Sequence, residues 1–478
     1  MNNIVNEKQV SFKELEQNIF EAACFLAREK TSKILESYDD DIALNRDKEK
    51  YRNKGKRQTS IKTVYGEVTY SRRVYETTPE DGKKAYVYLL DVYLQMERIG
   101  LISTNLAEKI ATTVVESPFR ITATMISNTS GQSISHGGVW NLVQRLGEKM
   151  TGEEELAVKQ MEAGKSTGQK EVEVLFEEMD GLYLNIQGKD AKKKPGREMK
   201  IATTYEGWDA DSKNGSKLVG KTVMAGMEKG SSFLKKREAQ ISNIYNVDEI
   251  KLRILNADGG SWISDPYADE LIEQLYRFHI VKAIREKVAH KEYRKELRRL
   301  LDKDQVDELI EAVRIYADSV ATNEKQDERE EKALELLRYL ENNRDKIKRY
   351  DNRGKEIPSA PKGLVYKHMG VQENQNATVI AMRMKHGRKR WSVAGADNMA
   401  KLLYHHENKA LIPAIDRFTD GLIWDKAMEE PLKILSADKA PKKDGKGNRY
   451  IETMAVHMPI LDSSNHRTVK VLRRFLMS

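Results

Sequence analysis

Cysteine is almost absent: Cys24 is the only one in 478 residues. No intrachain disulfide can form and no thiolate cluster can hold a metal, so a reducing compartment is expected. No run of 18 apolar residues occurs, which argues against a membrane-spanning helix. The opening MNNIVNEKQV lacks the basic-then-apolar order of an export signal. No P-loop, GxGxxG or HExxH is found, leaving nucleotide hydrolysis, Rossmann binding and zinc proteolysis without support. Nor does the chain repeat itself at a period of about 20–50 residues, as a solenoid would.

What is present is charge. Lys and Arg number 82 against 74 Asp and Glu, a net charge of +8, and charged residues make up 33% of the chain. That excess is small for the length, so its grouping matters more than its total. The length suits about three domains.

Ser11 to Glu14 has the form of a capping box. Leu15, Ile19, Ala23 and Leu26 follow at helical spacing, predicting a helix to about Tyr38 within an N-terminal unit, 1–50. Residues 51–100 read as a basic β-ribbon. Arg52, Lys54, Lys56, Arg57, Lys62, Arg72 and Arg73 face only Glu67 between positions 52 and 73, with a turn expected at Tyr65-Gly66-Glu67. Such a ribbon suits a phosphate backbone, because each cationic contact releases a counterion. A solvated edge hairpin protected by its charge is the alternative. Residues 101–150 resemble a helix-turn-helix, with His136 to Arg145 as the helix that could enter a major groove. Polar residues 151–170 read as a linker.

From 171 the hydrophobic period becomes two. Val172, Val174 and Phe176 alternate, Asp180-Gly181 reads as a turn, and Leu182, Leu184 and Ile186 alternate again. Strands are expected at Met199–Tyr205, at 218–226 and at Leu252–Leu255, with a helix from Ser231 to Tyr245. The block 280–357 is helical and rich in Lys and Glu, and a helix is expected over Gln372–Met384. Arg383, Lys385, Arg388, Lys389 and Arg390 then precede Trp391, which is placed to pack or to stack on a base. Residues 411–478 form a weakly patterned tail.

Asp180 and Asp258 each follow an apolar strand and precede glycine. Glu373, just inside a late helix, could join them. On an RNase H-like sheet, two aspartates and a glutamate would hold two Mg²⁺ (or Mn²⁺) ions about 4 Å apart, one at the attacking and one at the leaving oxygen of a phosphodiester.

The strings EEMDGLYLNIQ, RILNADGGSWI, FHIVKAI and GVQENQNATVIAMRMKHGRKRWSVAGADNMAKL, in this order, resemble the ISLre-two group of insertion-sequence DDE transposases. The front segment KGKRQTSIKTVYGEVTYSRRVY resembles that group's basic ribbon, and the likeness covers roughly residues 50–410. It implies Asp180, Asp258 and Glu373 as the catalytic carboxylates, 78 and 115 residues apart. It also implies an α/β, RNase H-like mixed-sheet core in two parts, 171–279 and 358–410, interrupted by an all-helical insertion. His279 is similar to the histidine of a small motif after the second aspartate. This chain has Tyr276 where an acid or cysteine commonly stands three positions earlier.

The resemblance implies a bacterial, nucleoid-associated enzyme. It would bind terminal inverted repeats and target duplex as a homodimer or higher oligomer, without membrane. Three readings stand beside it: an RNase H-like nuclease that does not join ends, a non-catalytic domesticated DNA-binding protein, and a helical scaffold for another protein.

Overall fold

Ser11 opens the first helix as its sequence dictates: its Oγ accepts from Glu14 N at 3.3 Å, and Ser11 N donates to Glu14 Oε2 at 2.9 Å. The computed structural model describes residues 11–78, 83–94, 102–193, 196–212, 217–260, 262–321 and 328–418. Most of the expected tail lies outside these residues.

Helix α1 (Phe12–Asn45) outruns the expected end at Tyr38 by two turns. Strands β1 (Arg52–Thr63) and β2 (Gly66–Thr77) form the hairpin, and β3 (Ala85–Val87) and α2 (Leu89–Tyr93) complete the unit. Leu35 and Ile42 of α1 pack on Ile61, Val68 and Tyr70. Thr63 pairs with Gly66, so the turn is Val64-Tyr65, one residue earlier than expected. Gly66 has φ +119°, a conformation that favours glycine.

Helices α3 (Thr104–Glu116), α4 (Phe119–Thr129) and α5 (His136–Glu162) follow. Helix α5 runs through most of the expected 151–170 linker. Gly131 N donates to Val64 O at 2.9 Å, docking the hairpin tip on these helices. A Cβ at Gly131 would lie 2.6 Å from Tyr65 O, so this approach requires glycine.

The central sheet has the order β10-β9-β4-β5-β8. Strand β4 (Val174–Asn185) leads through α6 (Lys189–Lys193) to β5 (Gly196–Tyr205). Short β6 (Gly207–Asp209) and β7 (Leu218–Val219) precede β8 (Thr222–Gly226) and α7 (Gly230–Ser242). Then come β9 (Leu252–Ala257) and β10 (Leu271–Leu275); β10 was not anticipated from the sequence. The β4–β5 and β5–β8 pairs are antiparallel, whereas β9 and β10 run parallel to β4.

The Asp180-Gly181 turn expectation is overturned. Strand β4 passes straight through it, Asp180 opposite Ile201 and Gly181 opposite Lys200. The glycine serves close approach instead: a Cβ there would lie 2.1 Å from Glu198 Oε1.

Helices α8 (Arg277–Lys287), α9 (Lys291–Asp302), α10 (Val306–Val320), α11 (Glu328–Asn342) and α12 (Arg344–Ile347) supply the expected insertion. Leu297, Leu309, Val313, Leu336 and Leu340 form its own core. Strand β11 (Leu364–Val365) pairs with β6. One continuous helical segment then comprises α13 (Gln372–Gln375), a π-helical turn (Asn376–Ala381) and α14 (Met382–Met384). Helices α15 (Val393–Glu407) and α16 (Leu411–Arg417) end the described chain.

Alternation on β4 sorts the layers. Leu184, with Met199 and Ile201, faces a core shared by α3, α4, α5, α15 and α16. Residues 411–418 thus belong to the core, and the helices at 104–162 cover the sheet rather than standing apart as a front module. Met179 and Leu255, on the opposite face, pack against Phe233 and Leu234 of α7.

Where α5, α7 and α15 meet, Glu154 binds Lys236 at 2.8 Å and the fully buried Lys401 at 2.9 Å. Glu154→Ala takes the nearer carboxylate from two buried ammonium groups, leaving Glu228 at 3.3 Å from Lys236 and 3.9 Å from Lys401, and is expected to cost about 3 kcal/mol in urea unfolding. Arg299→Ala removes only an exposed i,i+3 pair with Glu296 and is expected to leave the curve unchanged.

Candidate metal centre

The register of two strands brings the aspartates together. Parallel β4 and β9 pair residue by residue up to Met179 opposite Ala257. The next residues along the two strands are Asp180 and Asp258, the latter just past the end of β9. Both lie on the face carrying Phe176, Glu178 and Asn256.

Glu178, two residues before Asp180, is fully buried. Its carboxylate accepts from Gly370 N at 2.9 Å, Val371 N at 3.1 Å and Gln372 N at 3.3 Å, the amides that open α13. It also accepts from Tyr205 Oη at 2.8 Å and Asn256 Nδ2 at 3.0 Å. A buried anion at a helix N-terminus satisfies orphan N–H groups and the helix dipole together. This joint seats the helix that carries Glu373.

Tyr276 adds a second tie. Its amide donates to Ala257 O at 2.7 Å, its hydroxyl donates to Gly370 O at 3.3 Å, and Glu373 N donates to that hydroxyl at 3.1 Å. The residue that departs from the expected motif therefore links the end of β9 to the glutamate helix. Further along that helix, Asn376 Nδ2 donates to Asp180 Oδ2 at 2.6 Å and is held by Gln372 Nε2 at 2.9 Å. The π-helical turn begins at Asn376.

One ligand atom each from Asp180, His279 and Glu373 lies within 4.8 Å of the others. His279 Nε2 stands 3.8 Å from Asp180 Oδ2, an ion-pair contact too long for a hydrogen bond. Burial opposes protonation of His279, but Asp180, with Asp258 and Glu373 behind it, lifts the imidazole above its ordinary value. Burial, reinforced by the charge of Asp180, raises the Asp258 carboxyl. Asp258 Oδ1 accepts from Gly260 N at 2.7 Å. Asp258 is thus beside the tight group rather than one of its three members. Clustered carboxylate oxygens fit a hard divalent cation, and the unpartnered His279 Nε2 is a further donor atom facing them.

The expected DNA contacts divide. Arg52, Lys56 and Arg57 are exposed on β1, and His136 and Arg145 are exposed on α5. Lys54 pairs with Glu76 at 3.0 Å and Lys56 with Asp40 at 3.3 Å. Arg72 is buried against Asp91 at 2.5 Å, and Arg73 binds Asp39 at 2.7 Å and Asp40 at 2.6 Å. These two arginines hold the hairpin to α1 and α2 instead of facing outward. Lys385, Arg388 and Arg390 are exposed, whereas Arg383 is buried and Lys389 half-buried. Trp391 is buried too, edge-on to Phe119 with ring centroids 6.0 Å apart. Two other late glutamates lie elsewhere: Glu407 pairs with Lys221 and Glu356 is exposed.

Sequence reasoning missed Glu178, Gln372 and Asn376. The signal for Glu178 was its phase: on a strand, i and i+2 share a face.

Residues 5–414 match the uncharacterised protein family UPF0236, and the chain belongs to that family. A UPF0236 protein of Caldanaerobacter subterraneus subsp. tengcongensis is 26% identical over 416 residues, covering 84% of this chain and 79% of the relative. A second from that organism, whose name joins eleven locus designations, is 26% identical over 407 residues, 83% of this chain and 78% of the relative. One from Streptococcus gallolyticus is 23% identical over 353 residues, 72% of each chain.

Glu178→Ala is expected to cost about 3 kcal/mol or more, since several buried donors lose their acceptor. Tyr276→Phe removes one hydroxyl and should cost about 1 kcal/mol. Urea unfolding reads the totals, and hydrogen exchange should quicken at the amides of residues 370–373 in both variants.

Proposed function

We propose that this protein is a DDE transposase that cuts DNA at the ends of a mobile element and joins them to a target. The observation that carries the reading is the register that sets Asp180 beside Asp258, with Glu373 delivered to the same face from 115 residues further on. The strand order supports an RNase H-like core: the first strand is central, an antiparallel pair lies on one side and two parallel strands on the other. The sequence strings shared with the ISLre-two group support it too. So does the relative whose one name covers eleven loci, the multiplicity that a self-copying element leaves in a genome.

Asp180, Asp258 and Glu373 would hold the divalent ions, Mg²⁺ or Mn²⁺, which supply charge neutralisation and polarise the attacking and leaving oxygens. Asn376 and Gly260 fix the two aspartates from behind. Water oxygen attacks phosphorus as the P–O3′ bond breaks, leaving a 3′-hydroxyl and a 5′-phosphate. That hydroxyl then attacks a target phosphate and displaces its 3′-oxygen, one phosphodiester exchanged for another. His279, its imidazole facing the carboxylates, is placed to hold a proton beside Asp180. Arg52, Lys56, Arg57, His136 and Arg145 are the outward groups for terminal-repeat duplex, with Lys385, Arg388 and Arg390 nearer the target strand. Two ends must be cut and joined together, so a homodimer or larger assembly forms on DNA.

On supercoiled DNA carrying the gene's own flanks, Asp180→Asn, Asp258→Asn and Glu373→Gln should each reduce Mg²⁺-dependent cleavage to background while duplex affinity stays near wild type. Cutting by all three at the normal rate contradicts the reading, and cleavage without joined products reduces it to a nuclease. Mn²⁺ at a hundred times its dissociation constant should stabilise the wild type by about 2.7 kcal/mol, seen as a higher thermal midpoint, and Glu373→Gln should lose most of that gain.

A further inference from the structure

Beyond the end of β4 a cleft of about 310 Å³ opens between the α3–α4 corner, α5 and the start of α15. Phe119, Trp140 and Trp391 supply its rings, and Arg383, Lys389 and Arg390 its charge; among the described residues no acid lines it. Trp140 is 43% exposed, an unusual setting for so large an apolar ring. Ser392 and Gly395, at the N-terminus of the 15-residue α15, close one side, and a helix N-terminus favours an anion.

Arg383 is the decisive residue. The residue is only 6% exposed, its Nε donates to Val114 O at 2.8 Å, and its buried Nη2 has no hydrogen-bond partner among the described residues. The guanidinium lies 5.3 Å from the Phe119 ring centroid and 5.7 Å from that of Trp391. Lys389 Nζ donates to the carbonyls of Arg383 at 2.7 Å and Met382 at 3.3 Å rather than to a carboxylate. Burial pulls Arg383 down from its ordinary value with no acid opposing it, and burial with the Arg383 charge does the same to Lys389. A buried and a half-buried cation are thus held side by side with no carboxylate among the described residues paired to either, which is costly unless an anion completes the site.

We propose that this cleft binds one unpaired nucleobase together with its phosphate, from a single-stranded stretch of DNA. The base stacks on the open face of Trp140, and the phosphate sits against Lys389, Arg390 and the N-terminus of α15, beside the buried charge of Arg383. This rests on the transposase reading for its choice of DNA, but not on the carboxylates. Gln187, another lining residue, is seven positions along the chain from Asp180, roughly 23 Å at strand rise, so a strand could reach from the metal centre to the cleft.

The test uses the full chain and two labelled single-stranded oligomers of about eight nucleotides, one of thymidine and one abasic with the same phosphates, followed by fluorescence polarisation. The wild type is expected to hold the thymidine oligomer about tenfold more tightly than the abasic one. Trp140→Ala, at an exposed position, should erase that preference, while Arg390→Gln weakens both oligomers alike. Equal wild-type affinity for the two, or an unchanged preference in Trp140→Ala, overturns the proposal. Asp180→Asn should bind both oligomers as the wild type does. Loss of the cleft and loss of the catalytic reading are therefore seen separately.

Discussion

The whole candidate centre depends on one buried carboxylate receiving the start of one helix. Glu178 lies on the central strand, out of water, and collects three consecutive backbone amides at residues 370–372. Those amides lie across almost two hundred residues of chain, the helical insertion included. Without that anion the helix would bury unsatisfied donors against the sheet, and Glu373 would have no fixed place near the aspartates. The same strand therefore supplies a structural acid at 178 and, on the same face two residues on, the acid at 180 that we propose as a metal ligand.

Gathering acids at one point costs free energy, and the structure shows how that cost is distributed. Asp180 receives Asn376 and faces His279; Asp258 receives the Gly260 amide; Glu373 stands at a helix start, where the dipole favours it. On the opposite face a second set of charges, Glu177, Glu238 and Asp265 with Arg237 and Arg253, is buried with its counter-ions and closed to solvent. The contrast separates a structural network from an open one. In the first, two guanidiniums hold three carboxylates in direct ion pairs; in the second, three carboxylates face a single imidazole.

Much of this was legible in the sequence. The capping box at Ser11, the basic hairpin, the strands at 199–205 and 252–255 and the helical block after 280 follow from local chemistry and periodicity. The resemblance, rather than periodicity, singles out Asp180, Asp258 and Glu373, and the fold gathers Asp180 and Glu373 with His279 while Asp258 stands beside them. What was not legible is set by tertiary packing. Asp-Gly is a strong turn signal, yet β4 runs through it because ten residues, on both sides of the dipeptide and including it, pair in register with β5. Residues 151–162 look like a polar linker, but they continue α5 because Glu154 finds Lys236 and Lys401. Arg72 and Arg73 look like phosphate contacts, but acids from α1 and α2 reach them first. The importance of Glu178 cannot be seen without knowing which amides it meets.

Membership of UPF0236 gives this arrangement a setting but no chemistry, so the account stands or falls on the carboxylates. The most direct measurement is anomalous diffraction from crystals of the protein soaked in Mn²⁺. The account predicts manganese held by oxygens of Asp180, Asp258 and Glu373 at about 2.1 Å. Manganese bound only elsewhere, with these three side chains ligating nothing, would contradict it.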